Sequence, residues 1–160
     1  MTAVIENTID IARPREAVFD YLSDLHNELQ WNPDCVSVEK LTDGAVGLGT
    51  RFRAKWKQGP AIETECTLFE RPRSWRYENG GPASVVLTIT VEATPTGGTR
   101  LTSHGEWTPH GWFRLAFPVF IRVMRRAERG VVANARRALE EGLDRQPLRS
   151  PTAIPESRHD

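Results

Sequence analysis

The sequence predicts an α+β fold in which about seven antiparallel strands are covered on one face by a long C-terminal helix. Most of residues 4–107 form short segments in which apolar and polar side chains alternate, separated by turns rich in glycine and proline. From about residue 111 to residue 143 the apolar spacing becomes helical. An antiparallel sheet with one apolar face needs one covering layer, and this helix supplies it.

The first elements are a strand and two short helices. Isoleucines alternate with polar residues over residues 4–11, which predicts a half-buried strand. A helix is expected to begin at Pro14, because the fixed φ of proline suits a first helical position. A second helical piece is predicted over residues 25–30. Pro33 ends it, since the residue before a proline avoids helical backbone.

The later strands separate apolar from charged side chains. Phe52 and Trp56 share one face of a predicted strand, and a row of basic residues occupies the other face. Glu63 and Glu65 in the next strand are expected to lie opposite that basic row, because neighbouring antiparallel strands place such pairs side by side. The sheet is therefore predicted to have an apolar, aromatic inner face and a charged outer face.

The composition excludes several classes of protein. The chain has 160 residues, of which 39% are hydrophobic and 26% are charged, as in an ordinary globular protein. Its net charge of zero gives no electrostatic case for nucleic-acid binding. Cys35 and Cys66 are too few for a disulfide scaffold and do not form a CxxC pair. A cytoplasmic location is expected, because residues 1–7 do not resemble a signal peptide and residues 112–124 are too charged to span a bilayer.

One domain is expected, covering residues 1–143. Residues 144–160 are predicted to form a disordered tail, because they are polar and contain three prolines. The sequence has no internal repeats.

Four stretches of the sequence carry a resemblance to a known group. They are residues 9–24 (IDIARPREAVFDYLSD), 31–36 (WNPDCV), 70–75 (ERPRSW) and 97–102 (GGTRLT). Over about residues 3–143 the chain resembles the START-like (SRPBCC) superfamily, in its polyketide cyclase/dehydrase-like branch. The resemblance implies a helix-grip fold, with a curved seven-stranded antiparallel sheet, two short helices and one long C-terminal helix over an apolar cavity.

The resemblance also implies a function in that cavity. The expected function is the binding of a small hydrophobic ligand, either a lipid or a polyketide-like aromatic molecule. The alternative is a cyclase or dehydratase-type enzyme acting on a hydrophobic substrate in the same cavity, and a fold alone does not separate the two. The residues expected to bind the ligand lie on the inner sheet face, in the early helical region and on the inner stripe of the long helix. They are Trp31, Phe52, Trp56, Thr64, Cys66, Trp75, Tyr77, Leu87, Ile89, Ser103, Trp107, Phe117, Phe120, Ile121 and Met124.

Catalysis would require a general acid or base inside the cavity. The alternation of the strands places His104 and the acidic strand residues on the outer face, so the inner wall is expected to hold almost no ionisable group. The catalytic candidates that remain are Tyr77, by its inward position, and His26 and Asp34, by their position near the expected mouth. Cys66 is interpreted as a small buried hydrophobe and not as a nucleophile.

No metal, cofactor or nucleic-acid partner is predicted. The four histidines are too scattered for a metal site, and no glycine run has the spacing of a phosphate-binding loop.

The start of the long helix allows one further interpretation. Residues 112–117 are rich in aromatic and apolar side chains and lead into a series of arginines, a pattern typical of segments that touch anionic membranes. A third hypothesis is therefore a stress or regulatory module in which this helix binds a protein or a membrane. The favoured interpretation is a cover helix with a solvated basic face, because the net charge is zero and Glu128, Glu140 and Glu141 are interspersed.

Overall fold

The computed structural model describes residues 1–142. The helices are α1 (Arg15–Ser23), α2 (Glu28–Trp31) and α3 (Phe113–Arg137), with a 3-10 turn at Leu25–Asn27 before α2 and a π-helical segment at Ala138–Gly142 after α3. The strands are β1 (Ala3–Ile11), β2 (Cys35–Lys40), β3 (Arg51–Trp56), β4 (Ile62–Glu70), β5 (Ser74–Asn79), β6 (Ala83–Ala93) and β7 (Thr99–Pro109). The predicted tail lies outside the described residues.

The seven strands form one antiparallel sheet in the order β1-β7-β6-β5-β4-β3-β2. Strands β2 to β7 therefore follow one another as a meander of hairpins, and β1 pairs with the last strand. Strand β7 pairs along its whole length with β6 and over residues 99–107 with β1. The predicted helix-grip architecture is confirmed.

The alternation of side chains also agrees with the prediction. Phe52 and Ala54 are buried, whereas Arg53 between them is exposed. On the outer face Nη2 of Arg53 donates a hydrogen bond to Oε1 of Glu63 over 2.8 Å, and Arg51 lies opposite Glu65. The basic row of β3 therefore faces the acidic residues of β4, as expected.

The structure departs from the sequence expectations at two points, the regular alternation of side chains along β4 and the start of α1. A register shift between Cys66 and Leu68 turns Leu68 to the outer face, where it lies opposite Arg76. Phe69 takes the inward position instead and pairs with Trp75. A β-bulge reverses the alternation in this way, because it inserts one extra residue. Pro14 precedes α1 as its cap, with extended backbone (φ −58°, ψ 145°), and does not occupy the first helical position.

Helix α3 covers the sheet and is in contact with it near both ends. Near the start of the helix, Phe117 and Ile121 are buried against Ile5 of β1. After its last turn Leu139 is fully buried in the main core, and Nε of Arg13 donates a hydrogen bond to the Leu139 carbonyl over 3.0 Å. The middle of the helix crosses the sheet between these two contacts.

The long helix begins five residues before Pro118, so this proline lies inside it. Because proline has no N–H, the helical hydrogen bond from residue 118 to the Arg114 carbonyl is missing. Among residues 1–142 no helix is both long enough and apolar enough to cross a membrane.

Candidate functional site

A cavity of about 410 Å³ lies between the inner face of the sheet and the middle of α3. This volume falls within the range of small-molecule sites, roughly 300–1,000 Å³. Strands β6 and β7 provide a central part of the wall, and α2 and α3 close it from the other side. The helix supplies Phe113, Phe120, Met124, Ala127, Glu128, Val131, Val132 and Ala135.

Most of the residues predicted to bind a ligand lie in the wall of this cavity. They are Trp31, Trp56, Thr64, Trp75, Tyr77, Leu87, Ile89, Ser103, Trp107, Phe120 and Met124. The wall is therefore mainly apolar and aromatic, and rigid rings of this kind suit flat or polycyclic ligands. That these residues bind a ligand remains a prediction.

Four residues expected in the wall lie outside it. Phe52 is fully buried, with its ring edge-to-face to those of His26 and Tyr77 at centroid distances of 5.4 and 6.0 Å. Cys66 is also fully buried, and its Sγ donates a hydrogen bond to the Leu68 carbonyl over 3.2 Å. Phe117 and Ile121 pack with Ile5. These four residues, Phe52, Cys66, Phe117 and Ile121, therefore belong to the hydrophobic core on either side of the cavity.

Trp107 reaches the wall because a glycine lies two residues before it on β7. A Cβ at Gly105 would lie 3.2 Å from Nε1 of Trp107, which is closer than most real contacts. The missing side chain leaves room for the indole against the sheet. The ring of Trp107 also packs edge-to-face on Phe120 of α3, with centroids 5.9 Å apart.

Three hydroxyl groups belong to residues of the wall, and two of them are already hydrogen bonded. The Tyr77 hydroxyl donates to the Ser23 carbonyl over 2.7 Å, and the Thr64 hydroxyl donates to the Glu78 carbonyl over 3.1 Å. Burial raises the pKa of Tyr77 well above its ordinary value, so its phenol keeps its proton. Ser103 makes no side-chain hydrogen bond within residues 1–142, and its hydroxyl is available to a ligand.

The other two catalytic candidates lie apart. His26 is not in the wall; its Nδ1 lies 3.1 Å from Oδ1 of Asp24. Asp34 does line the cavity, and its Oδ2 accepts a hydrogen bond from Nε2 of Gln58 over 2.7 Å. The structure therefore brings Asp34 and Tyr77 to the cavity and leaves His26 beside it.

The expectation that the wall holds almost no ionisable group is wrong, because Glu28 of α2 lines the cavity. Its Oε1 accepts hydrogen bonds from Nε1 of Trp56 over 2.7 Å and from Nδ2 of Asn32 over 2.5 Å. These two donors fix the orientation of the carboxyl group. Burial nevertheless raises the pKa of Glu28, because its effect exceeds that of the two hydrogen bonds.

A second carboxyl group, that of Glu128 on α3, lies in the same wall. Burial raises the pKa of Glu128, and the negative charge of Glu28 raises it further. The side chain makes no hydrogen bond or ion pair within the described residues. The two carboxyl groups, called the carboxyl pair below, therefore form an acidic region in a wall that is otherwise mostly apolar.

The sequence contained a signal for both glutamates. Ile121, Met124, Glu128, Val131 and Ala135 follow one another three or four residues apart, so Glu128 lies on the inner stripe of α3. Glu28 stands three residues after Leu25 and three before Trp31, and all three line the cavity. The expectation that Glu128 belongs to the solvated face of the long helix is therefore wrong, because it followed the charge of the residue and not its spacing. Strand alternation, which was the guide for the other acidic residues, does not apply to the helical Glu28.

Burial also decides the chemistry of Cys35. It raises the pKa of this thiol to about 11, with a smaller contribution from the charge of Glu28. The thiol is therefore protonated at neutral pH and is not an activated nucleophile.

A curved sheet closed by one long helix over an apolar cavity is the helix-grip fold of the START-like superfamily. The match to a known family covers residues 2–140, nearly all of the described chain. The chain belongs to the polyketide cyclase / dehydrase and lipid transport family. This membership supports hydrophobic-ligand binding or a cyclase role and does not separate the two.

Several solved structures share the fold. The Zhui aromatase/cyclase from Streptomyces sp. R1128 superposes with a TM-score of 0.70 at 16% identity, covering 89% of this chain and 98% of that one. Norcoclaurine synthase from Thalictrum flavum gives a TM-score of 0.64 at 16% identity, covering 89% and 97%. Ara h 8.0201 gives 0.65 at 16% identity, covering 87% and 98%. Identities this low show the fold alone. No curated protein matches the sequence.

Proposed function

We propose that this protein binds a small hydrophobic molecule, a lipid or a polyketide-like aromatic compound, in the cavity under α3. The observation that carries the proposal is a cavity of about 410 Å³ between the sheet and α3, with a mainly aromatic and aliphatic wall. A buried apolar pocket with a few polar groups is the usual form of a small-molecule site. The family description, which includes lipid transport, and an aromatase/cyclase among the structural neighbours support a function in this cavity.

Polar side chains of the wall, among them the carboxyl pair and Ser103, indicate that the ligand also carries a polar group. Carboxylates accept hydrogen bonds, and a buried carboxylate without a partner is costly. Glu128 has an unused acceptor in the wall. The ligand is therefore proposed to carry a hydrogen-bond donor, such as a hydroxyl group, at the end that meets Glu28 and Glu128.

Native mass spectrometry and a thermal-shift screen test this proposal. A ligand that binds only the folded state raises the melting temperature by mass action. We expect aromatic and long-chain alcohols to raise it, and the corresponding carboxylates to raise it less, because the carboxyl pair repels them. The absence of both a co-purifying hydrophobic molecule and a shift with every compound would refute the proposal.

The carboxyl pair favours a second candidate function, a cyclase or dehydratase acting in the same cavity. An intramolecular aldol cyclisation removes a proton from the carbon beside one carbonyl group and delivers a proton to the oxygen of another as the C–C bond forms. Two neighbouring carboxyl groups with raised pKa values suit this task, because one can be ionised as the base while the other stays protonated as the acid.

Turnover of a linear poly-β-ketone, monitored by mass spectrometry, distinguishes binding from catalysis. If the protein is an enzyme, Glu28→Gln and Glu128→Gln should each slow formation of the cyclised product by about 10²-fold or more, as for a lost general acid or base. Glu106→Gln, a change on the outer sheet face, is the matched control and should leave the rate unchanged. Equal rates for all four proteins and for buffer would leave binding as the function.

A further inference from the structure

The outer face of α3 combines features that the cavity does not explain. Three large apolar side chains of its first half and that of Trp112, just before the helix, are turned to solvent, with exposed fractions of 76% for Trp112, 88% for Leu115, 72% for Val119 and 54% for Val123. They are three or four residues apart, so they form one continuous stripe along the helix. Isolated exposed apolar residues are ordinary, but a contiguous stripe marks an interaction surface.

The same outer face is strongly basic. Helix α3 contains seven arginines, Arg114, Arg122, Arg125, Arg126, Arg129, Arg136 and Arg137. Its one acidic residue, Glu128, lies in the wall of the cavity on the opposite face. The basic face is a local feature, because the whole chain has a net charge of zero.

Arginines near the middle of the helix continue the apolar stripe. Leu115, Val119, Arg122 and Arg126 follow one another at intervals of three or four residues and therefore share one side of the helix. Arg122, Arg126 and Arg129 are exposed and form no ion pair within residues 1–142. Arg125 differs from them, because its Nη2 donates to the Val4 carbonyl over 3.4 Å.

We propose that this face, called the outer stripe and consisting of Trp112, Leu115, Val119, Val123, Arg122 and Arg126, binds the surface of an anionic lipid bilayer. The apolar side chains of the outer stripe would enter the boundary between headgroups and acyl chains, and the arginines would contact lipid phosphates. Tryptophan at one end suits this boundary, because its ring is both apolar and polar.

The position of the outer stripe connects it to the cavity. Phe113, Phe120 and Met124 line the cavity from the same turns of α3 that carry Leu115, Val119 and Val123 outside. Docking through the outer stripe would bring the helical side of the cavity next to the bilayer. A hydrophobic ligand could then pass between membrane and cavity over a short distance. Membrane binding itself does not depend on the proposed ligand.

Vesicle flotation tests this inference with the full chain. We expect wild-type protein to bind vesicles with about one third phosphatidylglycerol at least about tenfold more than vesicles of phosphatidylcholine alone. Leu115→Ser with Val119→Ser, and separately Arg122→Glu with Arg126→Glu, should each reduce binding by about tenfold or more. The matched control is Arg51→Glu with Lys55→Glu, which makes the same change of charge on the outer sheet face and should bind like wild type.

Thermal melting and sedimentation velocity complete the test. The substituted positions on the helix are exposed, so the melting curves of the two helix variants should match that of the wild type. The control variant places a negative charge opposite Glu65, so it needs only to remain folded at the temperature of the flotation experiment. Wild-type binding that is equal on both vesicle types or absent would overturn the proposal, as would equal loss in the control variant. A dimer that dissociates when Leu115 and Val119 become serine, without vesicle binding, would assign the outer stripe to a second copy of the chain instead.

Discussion

Two regions on the inner face of the sheet have similar side chains and different packing. In the packed region, under α1, the ring of Phe19 lies edge-to-face on those of Phe69 and Trp75, with centroids 5.1 and 5.0 Å apart. In the hollow region, under the middle of α3, Trp56, Leu87 and others surround a cavity of about 410 Å³. Composition alone does not distinguish the two regions.

The difference arises from the layer that covers the sheet. Helix α1 lies against the sheet and buries Val18 and Phe19 completely. Helix α3 touches the sheet through Phe117 and Ile121 near its start, while Leu139 of the π-helical segment that follows is buried beyond its end. The space between these contacts is not filled by side chains. Stability should therefore depend mainly on the packed region, and ligand affinity mainly on the hollow region.

The largest expected effect is on stability in the packed region. Phe52→Ala should lower the free energy of unfolding by about 3–5 kcal/mol, because it removes a fully buried ring and leaves a void. Urea denaturation measures this loss. The affinity for N-phenyl-1-naphthylamine, a neutral hydrophobic probe, should stay within about threefold of wild type, because Phe52 does not line the cavity. A small loss of stability would show that this region is not tightly packed.

Trp56→Ala in the hollow region should weaken ligand binding more than it lowers stability, which is the reverse of the effect of Phe52→Ala. The free energy of unfolding should fall by only about 1–2 kcal/mol, largely through the lost hydrogen bond to Glu28. The dissociation constant of the probe should rise at least about tenfold, because a wall residue is removed. Denaturation and fluorescence titration of the same preparation measure the two quantities. A loss of stability as large as that of Phe52→Ala would contradict the contrast between the regions.

The carboxyl pair should make stability depend on pH. The folded-state pKa of Glu28 and that of Glu128 are raised above the ordinary value of 4.5, so the folded protein holds these protons more tightly than the unfolded chain. The contribution is fully present below pH 4.5 and is lost as the pH rises through the raised values, by up to about 1.4 kcal/mol per pH unit for each group.

Denaturation curves from pH 4 to 8 for wild type and for the double variant Glu28→Gln with Glu128→Gln measure this effect. Glutamine keeps the shape of the protonated carboxyl group and does not ionise. The two proteins should be similarly stable at the acidic end, and the wild type should become the less stable of the two as the pH rises. Parallel curves would mean that the two carboxyl groups are well solvated.

The sheet could be predicted in detail because the alternation of side chains along a strand determines which face of the sheet each one occupies. Arg53 is opposite Glu63 and Trp107 points inward, as the sequence indicated. The separation of Phe52 from the cavity could not be predicted, because it depends on how closely α1 and the early turns approach the sheet. Such distances are set by contacts between residues far apart in the chain. The bulge before Phe69 has the same origin and leaves no clear mark in the sequence.

The acidic residues show a different limit. The spacing of Met124, Glu128 and Val131 indicated an inward glutamate, whereas its charge suggested solvent. Charge is the stronger guide on an ordinary helix, because burying a carboxyl group is unfavourable. An exception to that rule is therefore informative about function, and Glu128 is such an exception.

The most direct test of the central claim is to fill the cavity from the sheet side. Leu87→Trp adds an indole to the wall, and Val86→Trp places the same group on the outer face of the same strand as the matched control. Fluorescence titration with N-phenyl-1-naphthylamine should show one-to-one binding by the wild type and by Val86→Trp, and binding at least about tenfold weaker by Leu87→Trp with its stability retained. Equal affinity of Leu87→Trp and the wild type would contradict the account, and so would the absence of binding by the wild type.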